Sequence, residues 1–261
     1  MQTLLIIGTL GYAVTTCGYL GTLFRAQKIK SRGPYWCFVA SSAYWAVAFP
    51  IGALSYQLCV GVRPWLLLTA WSLGMIFISL QRKFAIAAMG SFVAALSTIL
   101  CIFALLVSSD QGRLVDGVMA DFILWSHIGL AFLGLTIFSL AAAVSLLYLV
   151  VSHRLKTKKT TFLQAPMPSL ETLDTLGHRL VLSGFPFYTL ALLLGSAEAM
   201  RSGAPGLKLA YVLASISWLI YAIVLQARLT AGWRGQRAAL LTLSGLVTAF
   251  TVVGLYSVGA G

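Results

Sequence analysis

Three histidines are the side chains of this sequence best suited to binding a metal or moving a proton near neutral pH. His127 stands in "DFILWSHIGLAFLGLTIFSLAAAVSLLYL", just after Trp125 and at the head of a long apolar run. His153 opens the basic stretch "HRLKTKK", and His178, beside Arg179, heads a second apolar run. A neutral imidazole is a common ligand of haem iron. Ala131 and Gly134, four and seven residues beyond His127, share its helical face. That face is small, as it must be where a partner helix or a flat ligand comes close. His127 also lies six residues past Asp121, about 9 Å along a helix. This depth suits an interfacial, hydrogen-bonded histidine as well as a ligand, and the spacing leaves both readings open.

The remaining polar residues carry less chemistry. His178 and Arg179 read as an interfacial pair facing lipid headgroups, with His178 retained as a second candidate ligand, and His153 reads as a solvated member of a basic loop. Glu198 and Arg201 have the i,i+3 spacing of an ion pair, and Gln226, near the end of an apolar run, is expected to hydrogen-bond to a neighbouring helix. Cys17, Cys37, Cys59 and Cys101 form neither a CxxC pair nor a CxxCH motif. A thiol relay and covalent haem attachment are therefore unsupported, and the cysteines read as buried spectators. The sequence has no nucleophile–base constellation, P-loop, paired carboxylates or metal-ligand spacing, so a non-enzymatic protein is expected.

The elements that position these residues follow from bulk composition. Of 261 residues, 59% are hydrophobic and 9% charged, and the mean hydropathy is +0.92. Soluble domains are nearer 25% charged, so the chain reads as a single all-α transmembrane domain over 1–261. Cutting at charges, prolines and glycines predicts eight spans, at 3–24, 35–57, 64–81, 85–109, 121–151, 178–200, 207–227 and 238–258. The N-terminal run lacks a basic leader region and reads as an uncleaved first span. The net charge of +12 comes from residues between spans, where anionic headgroups and the rules of insertion account for it better than nucleic acid does. Alternate loops hold thirteen cations (among them Arg25, Lys83, Lys159 and Arg237) against four (Arg63, Arg113, Arg201 and Lys208). By the positive-inside rule the rich loops are cytoplasmic and both termini external, which puts His127 near the outer face and His178 near the inner one. Trp36, Trp65, Trp125 and Trp233 read as an aromatic belt, and Gly8, Gly11, Gly18 and Gly21 as a close helix contact. The segment 169–176, after Pro166 and Pro168, reads as a short amphipathic surface helix with Ser169 as its N-cap.

Three stretches carry a family likeness: "WSHIGLAFLGLTIFSLAAAVSLLYL", "LETLDTLGHRLVLSGFPFYTLALLLGSA" and "SWLIYAIVLQARLTAGWRGQRAALLTLSG". Through them the sequence resembles the membrane-bound cytochrome c assembly family, which includes the CcsA and CcmC haem-handling proteins. In length and eight-span layout it is most similar to the HemX branch. The resemblance implies a bacterial inner-membrane location, and a histidine that holds external haem at the position of His127. It implies as partners haem, and either cytochrome c assembly proteins or glutamyl-tRNA reductase, whose level HemX-type proteins are thought to affect. The family's tryptophan-rich WDPxE motif is replaced here by "RSGAPGLKLAYVLASISWL", with Lys208 where the aspartate would fall. Gln226 stands where an inner histidine is expected, and the terminal "GLYSVGAG" lacks the last external one. These departures speak against CcsA-type synthetase activity. They favour a HemX-like role in cytochrome c assembly or regulation of haem biosynthesis, with haem held non-covalently by His127. A haem transporter with ligands at both faces, and a haem-free scaffold docking a soluble enzyme on its cytoplasmic loops, are the alternatives.

Overall fold

A computed structural model describes residues 2–24, 32–55, 62–83, 89–106, 118–157, 168–202 and 205–259. Among them are eight α-helices: α1 (Gln2–Phe24), α2 (Arg32–Ser55), α3 (Val62–Lys83), α4 (Met89–Leu106), α5 (Val118–Lys156), α6 (Leu170–Ser202), α7 (Pro205–Thr230) and α8 (Gln236–Gly259). Seven of them, all but α2, are long and apolar enough to cross a hydrocarbon core. The chain is a multi-pass, all-helical membrane protein. Helices suit this setting because each satisfies its own backbone hydrogen bonds without water.

The helices group into two compact units, one formed by Met1–Gly112 with Val150–Leu170 and the other by Arg113–Leu149 with Glu171–Gly261. In the first unit, α1 packs on α2 and α4, and α3 packs on α4 and α2. Small residues set these contacts. A Cβ at Gly8 would overlap the Trp45 ring, and one at Gly11 would stand 2.8 Å from Ser41 Oγ. Gly18 rests on Pro34, whereas Gly21 has nothing within 4 Å, so three of the four expected glycines make the contact. Tyr12, Tyr19, Phe38 and Phe77 fill the interior, with Phe38 edge-on to Phe77 at 5.5 Å.

In the second unit, Phe138 of α5 stacks on Tyr221 of α7 at 3.7 Å and meets Tyr188 of α6 edge-on at 5.4 Å. Gly184 and Gly245 make room for this cluster, because a Cβ at either would fall 2.9 Å from the Phe138 or Tyr221 ring. Ser217 donates a buried hydrogen bond to the Gly245 carbonyl at 2.9 Å, tying α7 to α8.

Several expectations need correction. The segment 169–176 is no separate surface helix: α6 starts at Leu170, directly after Ser169, and continues unbroken to Ser202. Its leucine spacing serves packing, since Leu173 is buried. His178 accordingly lies two turns inside α6, and the helix runs through Pro186, which membrane helices tolerate. His153 is exposed in the last turn of α5, not in a loop. The Gln226 side chain is exposed instead of bonding to a neighbouring helix. Cys17 and Cys37 are exposed and only Cys101 is buried, because in a bilayer the outward face is itself apolar. Cys59 and the side chains of Glu198 and Arg201 lie outside the described residues.

Candidate functional site

The second unit carries polar groups at both ends of α6. Ala191 lies about 20 Å further along that helix than His178, at 1.5 Å per residue.

At the far end, α5 and α6 meet through glycine. A Cβ at Gly134 would stand 3.2 Å from the Tyr188 backbone nitrogen, so the small face beyond His127 is covered by α6. Of the two occupants that face could take, a helix and a flat ligand, the structure has the helix. The imidazole itself lies against Gly195, where a Cβ would fall 2.7 Å from its Cε1. His127 Nδ1 is 2.8 Å from the Ala191 carbonyl oxygen. A carbonyl only accepts, so Nδ1 carries the proton and the lone pair of the neutral ring resides on Nε2. Histidine ligands are commonly oriented in this way, with one nitrogen donating to a carbonyl and the other directed to the metal.

At the near end, Asp174 of α6 accepts three hydrogen bonds. Arg228 of α7 donates from Nη1 at 3.1 Å and from Nη2 at 2.9 Å, and the Gly235 backbone N–H donates at 2.9 Å. Gly235 immediately precedes α8, so the carboxylate both pairs with a guanidinium and sits at a helix N-terminus, where negative charge is favoured. The α7–α8 turn is built for this approach. Gly232 and Gly235 have φ of +61° and +75°, and a Cβ at Gly235 would lie 2.6 Å from the Tyr148 hydroxyl. Trp233 caps the turn with Arg237 over its ring at 5.8 Å. His178 lies beside the pair, lining a cavity of about 10 Å³ with Asp174 and Arg228. Its Nδ1 is buried and has no hydrogen-bond partner among the described residues.

His127 and His178 are thus not brought together, and no cluster of three or more potential metal ligands occurs among the described residues. The two histidines fit haem differently. His127 presents the tautomer that iron takes, as one axial ligand. His178 has its Nδ1 sealed in a cavity with room for roughly one water molecule, far too small for a porphyrin. Asp174 and Arg228 were missed as a pair in the sequence. The available signal was an isolated carboxylate in the first turns of a helix that begins among cations.

The profile of the family described as "Cytochrome C assembly protein" matches residues 60–259, which takes in both His127 and His178. The chain is similar to the "Cytochrome c biogenesis protein CcsA" of Guillardia theta, 27% identical over 205 residues that cover 70% of this chain and 67% of that protein. The Chlamydomonas reinhardtii protein of the same name is 26% identical over 209 residues, 75% of this chain and 57% of its own length. The Prochlorococcus marinus one is 40% identical over 98 residues, 35% of this chain and 30% of its own. The chain therefore spans between about a third and two thirds of the length of these relatives. No solved structure matches.

Proposed function

Because the chain belongs to the cytochrome c assembly protein family, we propose that it is a non-enzymatic haem-handling protein of a bacterial inner membrane. In this reading it acts in cytochrome c assembly and holds haem non-covalently near the external face through His127. Both termini face outward, following the cation asymmetry of the loops. The family match runs through both compact units, which supports treating 1–261 as one membrane domain. The observation that carries the site is the Nδ1–Ala191 hydrogen bond, which leaves the lone pair on Nε2. Bound haem would supply the redox-active iron and the group handed on to an apocytochrome. The protein's part is to orient one imidazole. His127 is the sole ligand proposed, so the iron is expected to be five-coordinate or water-bound, not bis-histidine low spin.

Absorption spectra of protein purified from haem-replete cells test this reading. A Soret band lost in His127→Ala and kept in His153→Ala and His178→Ala is the expected result. A bis-histidine spectrum indifferent to His127 would show that the wrong residue was assigned.

A second reading is favoured by the stretch between α6 and α7, "RSGAPGLKLAYVLASISWL", which lacks the tryptophan-rich haem platform. There the chain is HemX-like, binds no external haem, and affects the level of glutamyl-tRNA reductase from its cytoplasmic side. Haem-free protein that restores that level in a deletion strain would select this reading over the first.

A further inference from the structure

We propose that the cavity beside His178 is a binding site for one water molecule. This water completes a hydrogen-bonded cluster of His178, Arg228 and Asp174 and joins α6 to α7. The proposal is independent of whether the chain handles haem.

Two buried nitrogens lack a hydrogen-bond partner among the described residues and line the same cavity: Nδ1 of His178 and Nε of Arg228. Buried polar atoms in native proteins are nearly always satisfied, by protein or by ordered water. The cavity's volume of about 10 Å³ is the size of one water and admits nothing larger. Charge excludes the other small occupants. A cation would face the Arg228 guanidinium, and the Asp174 carboxylate is already engaged by three N–H donors. An anion would meet the same carboxylate, which opposes the positive charge of Arg228 at 2.9 Å. A neutral molecule that both donates and accepts is what remains.

The polarity of the bridge follows from the donors. Arg228 Nε carries a hydrogen in every accessible state, so the water oxygen accepts from it. Toward His178 the water either donates to a bare Nδ1 or accepts from a protonated one. The imidazole therefore keeps its hydrogen bond in either protonation state while the Asp174–Arg228 pair stays closed. The other ionisable groups facing His178 in this cavity are Asp174 on its own helix, Arg228 on α7 and the Tyr148 phenol on α5; the α8 residues that line it, Ala239 and Thr242, are uncharged.

The test uses the full chain in lipid nanodiscs with 15N-labelled histidine, read by solid-state NMR. With three histidines in the sequence, signals are assigned by comparison with His153→Gln and His127→Gln. The expected result is a hydrogen-bonded His178 Nδ1 with a cross-peak to a water that exchanges slowly with bulk. A chemical shift typical of a bare, unbonded Nδ1, or a direct bond from Nδ1 to a protein group such as the Tyr148 hydroxyl, would overturn the proposal. In Arg228→Lys, which keeps the charge and removes Nε–H, the water cross-peak should fall several-fold. An undiminished cross-peak in that variant would overturn the bridge, and the wild-type measurement decides the matter if the variant does not fold.

Discussion

The Asp174–Arg228 pair makes a quantitative test of how the near end of the second unit holds together. The two side chains are 16% and 12% exposed, so the pair is closer to buried than to surface. Removing one partner of a buried pair costs about 3–5 kcal/mol, mostly from stranding the other charge, and the partial exposure here argues for the lower end. The two single variants should nevertheless differ. Asp174→Leu strands the guanidinium and also removes the acceptor of the Gly235 N–H. Its cost should be about 3 kcal/mol, including about 1 kcal/mol for the orphaned amide. Arg228→Leu leaves the carboxylate bonded to Gly235 and opposite the α8 N-terminus, so its cost should be about 2 kcal/mol. The double variant strands no charge, and its cost should be only about 1–2 kcal/mol, set by the amide. The coupling between the two positions is then about 3 kcal/mol. Equilibrium unfolding in mixed detergent micelles, followed by tryptophan fluorescence, measures all four proteins. Additive single costs in the double variant would refute the pairing. Equal costs for the two singles would refute the role of Asp174 at the α8 N-terminus.

Further predictions concern backbone approach and topology. Gly195→Ala places a methyl 2.7 Å from His127 Cε1 and should destabilise by about 1–3 kcal/mol, whereas Gly129→Ala, with nothing within 4 Å, should be neutral or stabilising in the same unfolding assay. Gly235→Ala should lower the thermal midpoint more than Gly232→Ala. Both have positive φ and should lose about 1 kcal/mol, but only Gly235 also has the Tyr148 hydroxyl in the way. Reporter fusions after Lys159 and Arg237 should read as cytoplasmic, and those near Asp116 and at the C-terminus as external. An external signal after Lys159 would invert the orientation and with it the side assigned to each histidine.

The number and order of helices were legible because membrane spans are written in composition, and cuts at charge and Pro/Gly found all eight. Helix ends were less legible for a physical reason. Hydropathy marks only the stretch that lipid surrounds, while backbone hydrogen bonding carries a helix on into water. The run expected at 121–151 therefore extends over Val118–Lys156, and the one expected at 178–200 over Leu170–Ser202. That extension moved His178 from a headgroup contact to a packed position and turned a supposed surface helix into the first turns of α6. The site was harder to read than the fold because its decisive partners are backbone atoms. His127 bonds to the Ala191 carbonyl, Asp174 to the Gly235 amide and Ser217 to the Gly245 carbonyl. In the other unit, Trp71 and Ser97 likewise donate to the carbonyls of Ser42 and Ala70. In lipid a polar side chain has little water to turn to, and the main chain of a neighbouring helix offers carbonyl lone pairs at every residue. Such a partner has no side-chain identity, so no spacing or motif announces it. What does leave a trace is the glycine that permits the approach: Gly195 under His127, and Gly235 where the carboxylate and the Tyr148 hydroxyl converge. In a span, a glycine facing a polar residue on the next helix is thus a more informative sign of a site than the polar residue alone.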